Sequence, residues 1–282
     1  HLPLDADGRH IHIPAKEWYT KAIGTGQTAL ITGASSGIGL ELARCFARGG
    51  YRPVLAARSV DRLAQVAAEI GVATGVAAVP VPVDLAHPGA GAELAKLLAG
   101  RGLTVDVLVN DAGFGSAGPF AESDPDTQAG MVDLNIRAMV ELTRLFLPGM
   151  IERGRGGVLN VGSTASFQPG PMMAVYCATK AFVLSFTEAL SEELRGTGVT
   201  ATCLCPGATK STFHERAGAD GIALLRGGMM PAARVAETGY RAFQRNRRVA
   251  VAGVANSLMA GLVPFLPRTL VLRTAKAILR PR

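Results

Sequence analysis

Thr28-Ala29-Leu30-Ile31-Thr32-Gly33-Ala34-Ser35-Ser36-Gly37-Ile38-Gly39 decides how the rest of this 282-residue chain reads. A short apolar, β-rich run (Thr28–Thr32) passes directly into three glycines and then into a stretch of helical period near 38–49. Glycines at such a turn let the backbone fold tightly and approach a ligand, while the N–H groups that open the next helix attract an anion. A glycine-rich turn alone is weak evidence and can be purely structural. Set between a first strand and an apolar helix, it points to a pyrophosphate. Gly33, Ser35, Ser36, Gly37, Ile38 and Gly39 are therefore candidate cofactor contacts.

Moving outward, short apolar runs alternate with longer helical stretches. Strands are expected at Thr28–Thr32, Arg52–Ala57, Val76–Val83, Val105–Asn110, Gly157–Gly162, Val199–Cys205 and Arg248–Ala252. Helices are expected near 38–49, 60–70, 90–100, 123–153, 174–195 and 231–244. Strands joined by helices predict a doubly wound parallel α/β sheet of about seven strands, a single Rossmann-type domain with helices on both faces. The Val/Ala/Leu runs suit strands buried on both sides. In that architecture ligands sit at the carboxyl ends of the strands. Residues 28–253 read as the catalytic domain, 206–230 as a substrate lid, and 254–282 as a basic, apolar extension.

Composition narrows the class. Apolar residues make up 48% and charged residues 18%, which is globular, and the length allows one large core. The net charge of +7 is unevenly placed. Ten Lys/Arg and only Glu237 lie beyond residue 232, leaving 19 basic and 21 acidic residues before it. The basic character belongs to the C-terminal tail and not to a working face, which argues against nucleic-acid binding. Cys45, Cys177, Cys203 and Cys205 form no CxxC or Cys/His cluster, so no metal is expected. Reduced thiols in a cytoplasmic compartment are. The chain opens on His1 without a signal-peptide pattern, and residues 1–27 read as a native arm or an added remnant.

The other strand ends carry the chemistry. Strand two ends in Ala57-Arg58-Ser59. An acid there would suit a free ribose 2′-hydroxyl, whereas an Arg suits a 2′-phosphate, so Arg58, with Ser59 beside it, points to NADP(H) over NAD(H). Further along, Val175-Tyr176-Cys177-Ala178-Thr179-Lys180 sets a phenol and an ammonium four residues apart, on one face of a helix. By itself that pair reads as a core Tyr with a snorkelling Lys.

TGxxxGxG followed by YxxxK resembles the short-chain dehydrogenase/reductase superfamily, over residues 28 to about 253. The resemblance implies a catalytic group of Asn135, Ser163, Tyr176 and Lys180, and all four positions are matched. In it Tyr176 is the general acid/base, Ser163 orients the substrate oxygen, Lys180 lowers the Tyr pKa and holds the nicotinamide ribose, and Asn135 anchors a proton-relay water. It also implies cofactor contacts from Asp84 and Leu85, from Asn110, Ala112 and Gly113, and from Pro206, Gly207, Thr209 and Ser211. Asp111 stands where the family has a second Asn. The implied activity is NADPH-dependent interconversion of a ketone or aldehyde with an alcohol. Phe213, Leu224, Leu225, Met229 and Met230 suit an apolar substrate such as a ketosteroid, 3-oxoacyl compound or aromatic ketone. His214 is read as a surface or lid residue. An NADP(H)-binding sensor or scaffold without turnover is the other reading. The family also implies a homodimer or homotetramer through the helices bearing Asn135 and Tyr176.

Val249–Pro267 is uncharged over nineteen residues, but a last strand and the prolines Pro264 and Pro267 argue against a membrane span. Residues 268–282 read as an amphipathic helix on an anionic membrane surface, or as a helix packed on a neighbouring subunit.

Overall fold

A computed structural model describes residues 23–211, 213, 217–218 and 228–279. The N-terminal arm through residue 22, and His214, Leu224 and Leu225 of the expected lid, lie outside the described residues.

Seven strands form one parallel sheet: β1 (Thr28–Thr32), β2 (Arg52–Ala57), β3 (Val79–Pro82), β4 (Val107–Asn110), β5 (Gly156–Val161), β6 (Val199–Cys205) and β9 (Val249–Val251). Their order is β3-β2-β1-β4-β5-β6-β9. The chain winds outward from β1 in one direction, then crosses back to β4 and winds the other way. The switch between β1 and β4 opens a crevice at their carboxyl ends. A small parallel ladder, β7 (Thr209–Lys210) with β8 (Met230–Pro231), stands apart.

The period-two alternation of each strand explains the two helical layers. Ala29 and Ile31 of β1 pack into one cluster and Leu30 into the other. The first layer contains α1 (Gly37–Arg48), α2 (Val60–Thr74) and α7 (Ala232–Gln244). Phe46 is fully buried at its centre, with the rings of Tyr51, Tyr240 and Phe243 edge-on at 5.0–5.5 Å. The second layer contains α3 (Ala90–Gly100), α5 (Ala138–Glu152) and α6 (Ala174–Glu193). All four cysteines are free and buried.

Two differences from the sequence reading bear on the site. The expected single helix 123–153 is divided into α4 (Pro125–Val132), a π-turn (Asp133–Arg137) and α5, so Asn135 lies at a local widening of the helix. The tail forms two helices, α8 (Val254–Leu262) and α9 (Arg268–Leu279), with Pro264 in the 3₁₀ turn between them and Pro267 directly before α9. In α9 the buried residues are Val271, Ala275 and Leu279, one face at four-residue spacing. That face packs on its own chain, because Leu279 joins Met173, Tyr176 and Cys177 in one cluster.

Candidate active site

A cavity of about 820 Å³ runs along the carboxyl ends of the central strands. Its floor begins at the glycine-rich turn. Gly33 has φ +70°, and a Cβ there would lie 2.9 Å from Asp111 Oδ2 and 3.0 Å from Ala112 N. Gly39 is constrained more tightly: its Cβ would meet Asp111 Oδ2 at 2.5 Å and Gly33 O at 2.6 Å. Only glycine lets the turn and α1 approach this closely. Gly33, Ser35, Ser36, Gly37 and Ile38 line the cavity, as do Arg58 and Ser59, Asp84 and Leu85, and Ala112 and Gly113. Pro206, Gly207, Thr209 and Ser211 line it on the far side.

Three expected site residues do not line it. Gly39 is a packing position beneath the turn. Asn110 is turned into the protein, where its Nδ2 donates to Asn160 Oδ1 (2.8 Å) and Thr143 Oγ1 (3.3 Å). Asn160 Nδ2 in turn donates to Thr187 Oγ1 at 2.9 Å. This buried polar ladder ties α5, β4, β5 and α6 together. Asn135 is held behind the wall: its Oδ1 accepts from Phe114 N (3.0 Å), and its Nδ2 donates to Phe114 O (2.9 Å) and Thr179 Oγ1 (3.1 Å). The side-chain amide is thus engaged in fixing the loop after β4 against α6.

Ser163, Tyr176 and Lys180 do meet in the cavity. Ser163 follows β5 and caps a 3₁₀ turn, its Oγ accepting from Ala165 N at 3.1 Å. The Ser166 hydroxyl donates to the carbonyl of Lys180 at 2.7 Å, anchoring this turn to α6. Tyr176 hydrogen-bonds the Ser163 side chain. Lys180 Nζ donates to Val161 O at 2.7 Å and lies 5.9 Å from the centre of the Tyr176 ring.

Burial shifts three groups in the cavity wall. Burial pushes the Tyr176 hydroxyl well above its ordinary range, and the Ser163 hydrogen bond offsets this only in part. The cause is desolvation, which penalises the phenolate and also pulls the Lys180 ammonium below its ordinary value. Asp111 is shifted too: burial raises its carboxyl to about 7, against the pull of Lys180 and a hydrogen bond from the Gly39 backbone.

The cavity has two ends of different character. The charged side chains in its wall are Arg58, Asp84, Asp111 and Lys180. The other end is lined by Phe114, Met173, Cys177 and Phe213, with Phe213 tilted against Tyr176 at 5.4 Å. Met259, Val263, Leu266, Leu270, Val271, Ile278 and Leu279 of the tail complete it. Sequence reading missed these tail residues as cavity wall. Their signal was the i, i+4, i+8 apolar face of α9, and its target is visible only in three dimensions.

A doubly wound sheet with a glycine turn at its switch point and a Ser–Tyr–Lys cluster beyond it defines a dinucleotide-type α/β protein. The short chain dehydrogenase family model matches residues 27–221, and the chain belongs to that family. It is 36% identical to the very-long-chain 3-oxoacyl-CoA reductase of Homo sapiens over 187 residues, 65% of this chain and 59% of that protein. The chain spans between 52% and 65% of the length of four of the curated relatives it matches. Among solved structures it resembles a short-chain dehydrogenase from Sphingobium yanoikuyae in complex with NADPH. There the TM-score is 0.75 and the identity 30%, covering 86% of this chain and 97% of that one. It also resembles a bulky-bulky ketone specific alcohol dehydrogenase from Comamonas testosteroni, with a TM-score of 0.71, 28% identity and coverage of 86% and 95%.

Proposed function

We propose that the protein is an NADPH-dependent reductase of a bulky, apolar ketone, such as a ketosteroid, 3-oxoacyl compound or aromatic ketone. The observation that carries this reading is the position of Tyr176. Its hydroxyl is tied to Ser163 at the junction between a charged, glycine-floored half of one cavity and a charge-free apolar half.

The turn fits a dinucleotide because Gly33 and Ser35 through Ile38 line the cavity where α1 begins, so a ligand phosphate would meet backbone and the start of α1. Gly33 through Ile38 would hold the diphosphate, Arg58 and Ser59 the 2′-phosphate, Asp84 and Leu85 the adenine, and the Pro206–Ser211 segment the nicotinamide. When bound, NADPH supplies the hydride.

The chain's own residues then manage the proton. Tyr176, kept protonated by burial, gives its hydroxyl proton to the substrate oxygen as negative charge develops there. Burial keeps the hydroxyl in its protonated form, so the proton that reduction requires is present on Tyr176 at neutral pH. Ser163 hydrogen-bonds the same oxygen and sets its approach. Lys180 provides positive charge beside the phenolate left behind. Asn135 holds Phe114 and Thr179 in place around the group. Acid–base assistance of this kind contributes roughly 10²–10⁴-fold.

The relatives support the substrate class, since one is a 3-oxoacyl-CoA reductase and another acts on bulky ketones. The tail supports a further element of the reading, peripheral contact with an anionic membrane surface. Val254, Leu258, Leu262 and Phe265 are exposed, as are Arg268, Arg273 and Lys276 of the helix that follows. No described helix is long and apolar enough to cross a membrane.

The test is NADPH and NADH oxidation side by side over a panel of ketosteroids, 3-oxoacyl esters, aromatic ketones and small aldehydes, with Tyr176→Phe as control. Turnover with NADPH that disappears in the variant supports the reading. Silence over the whole panel with tight NADPH binding intact favours a sensor without turnover.

A further inference from the structure

Asp111 is the departure from the family pattern that the catalytic reading leaves unused. It follows β4 directly, and its backbone N–H and that of Ala112 both donate to Thr32 Oγ1 at 3.0 Å. These bonds fix the start of the loop against the end of β1. The carboxyl is thereby set inside the glycine-rich turn, so close that Gly33 and Gly39 cannot carry a Cβ beside it. It enters no ion pair among the described residues.

The groups that face it are few. From α1 comes the Gly39 N–H, and from β1 the Thr32 hydroxyl, which serves the Asp111 backbone. From α6 come two titratable groups, Lys180 and Tyr176. The Lys180 ammonium is engaged with Val161 O and is itself desolvated, so it compensates the carboxylate only in part. Burial accordingly lifts the Asp111 carboxyl to about 7 even in the free protein. An anionic diphosphate in the same turn adds a second negative charge, and like charges in a desolvated site disfavour the ionised acid further.

We propose that dinucleotide binding takes up a proton at Asp111: the turn accepts the diphosphate together with a neutral carboxylic acid, and affinity falls as pH rises through neutrality. The inference rests on the dinucleotide reading given above. By linkage, a ligand that binds the protonated form more tightly must draw that proton from the buffer. A phosphate monoester titrating near ~6 would act in the opposite sense, since binding beside Arg58 favours its ionised form and releases a proton.

The experiment is NADPH binding to the full chain, followed by nucleotide fluorescence from pH 5.5 to 8.5, for the wild type and Asp111→Asn. Calorimetry at pH 7 in two buffers of different ionisation enthalpy accompanies it. The expected result is a Kd that rises about fivefold more between pH 6 and 8 in the wild type than in Asp111→Asn, the effect of raising a pKa of about 7 by roughly one unit on binding. Calorimetry is expected to show net proton uptake in the wild type. Superimposable pH profiles for the two proteins overturn the inference. Where Asp111→Asn does not fold, calorimetry of the wild type decides alone, and proton release or no exchange overturns the proposal. No NADPH or NADH binding at any pH sinks the dinucleotide reading and this inference with it.

Discussion

Arg58 and Asp111 both line the cavity, and a bound dinucleotide would meet them in opposite ways. Arg58 is exposed at its rim, where a guanidinium can meet a 2′-phosphate without having been desolvated beforehand. Arg58→Ala is expected to weaken NADPH binding by roughly 10- to 100-fold, the size of a charge-assisted hydrogen bond, and to leave NADH binding nearly unchanged. Equal loss for both nucleotides would mean that Arg58 does not read the phosphate. Asp111 makes its own mark on stability. Its folded-state pKa of about 7 lies above the ordinary 3.8, so the folded protein binds the proton more tightly than the unfolded chain. Between those two values stability must fall as pH rises, and above pH 7 the full penalty is present. Urea unfolding of Asp111→Asn is therefore expected to show little gain at pH 4 and a clear gain at pH 8. A gain independent of pH would point to packing and not to charge.

At the scale of elements, the site depends on pieces that hold other pieces. The π-turn at Asp133–Arg137 places Asn135, which grips the loop after β4. π-turns recur at functional sites because the extra residue re-aims one side chain without ending the helix. The ladder from Thr143 through Asn110 and Asn160 to Thr187 fixes α5 and α6 on the sheet, and α6 carries Tyr176 and Lys180. Helix α9 closes the apolar end with Val271, Ala275 and Leu279. Val271→Asp buries a carboxylate against that wall and is expected to raise KM for bulky ketones at least tenfold while Kd for NADPH stays within twofold. Parallel loss of both would show that α9 supports the whole fold and not the substrate end alone.

At the scale of the molecule, apolar residues remain on the outer faces of α5 and α6: Leu145, Ile151 and Phe182 are about 40% exposed. Phe182 stacks on Phe186 at 5.9 Å with its outer side uncovered. This supports the homodimer or homotetramer that the family resemblance implies. Phe182→Glu is expected to convert an oligomer to monomer, read as mass by light scattering at micromolar concentration. A wild type that is already monomeric at that concentration would defeat the oligomer reading.

Local chemistry was enough for much of this. The strand–glycine–helix start, the alternation of elements, the positions of Ser163, Tyr176 and Lys180, and Arg58 at its strand end depend on residue type and short spacing, which a linear sequence displays directly. Asn110 and Asn135 show the limit. Each belongs to a motif readable in sequence, yet which way its side chain turns is set by partners 21 to 50 residues away. Tyr176 shows it again, because a nearby Lys is legible while the desolvation that raises the Tyr176 hydroxyl is a property of the assembled cavity. The C-terminal extension showed an apolar, basic pattern, and only the folded chain decided that one face of α9 closes the apolar end of the cavity. Burial, the opposing partner and the local dielectric are set by contacts distant in sequence, so they exist only once the tertiary structure has formed.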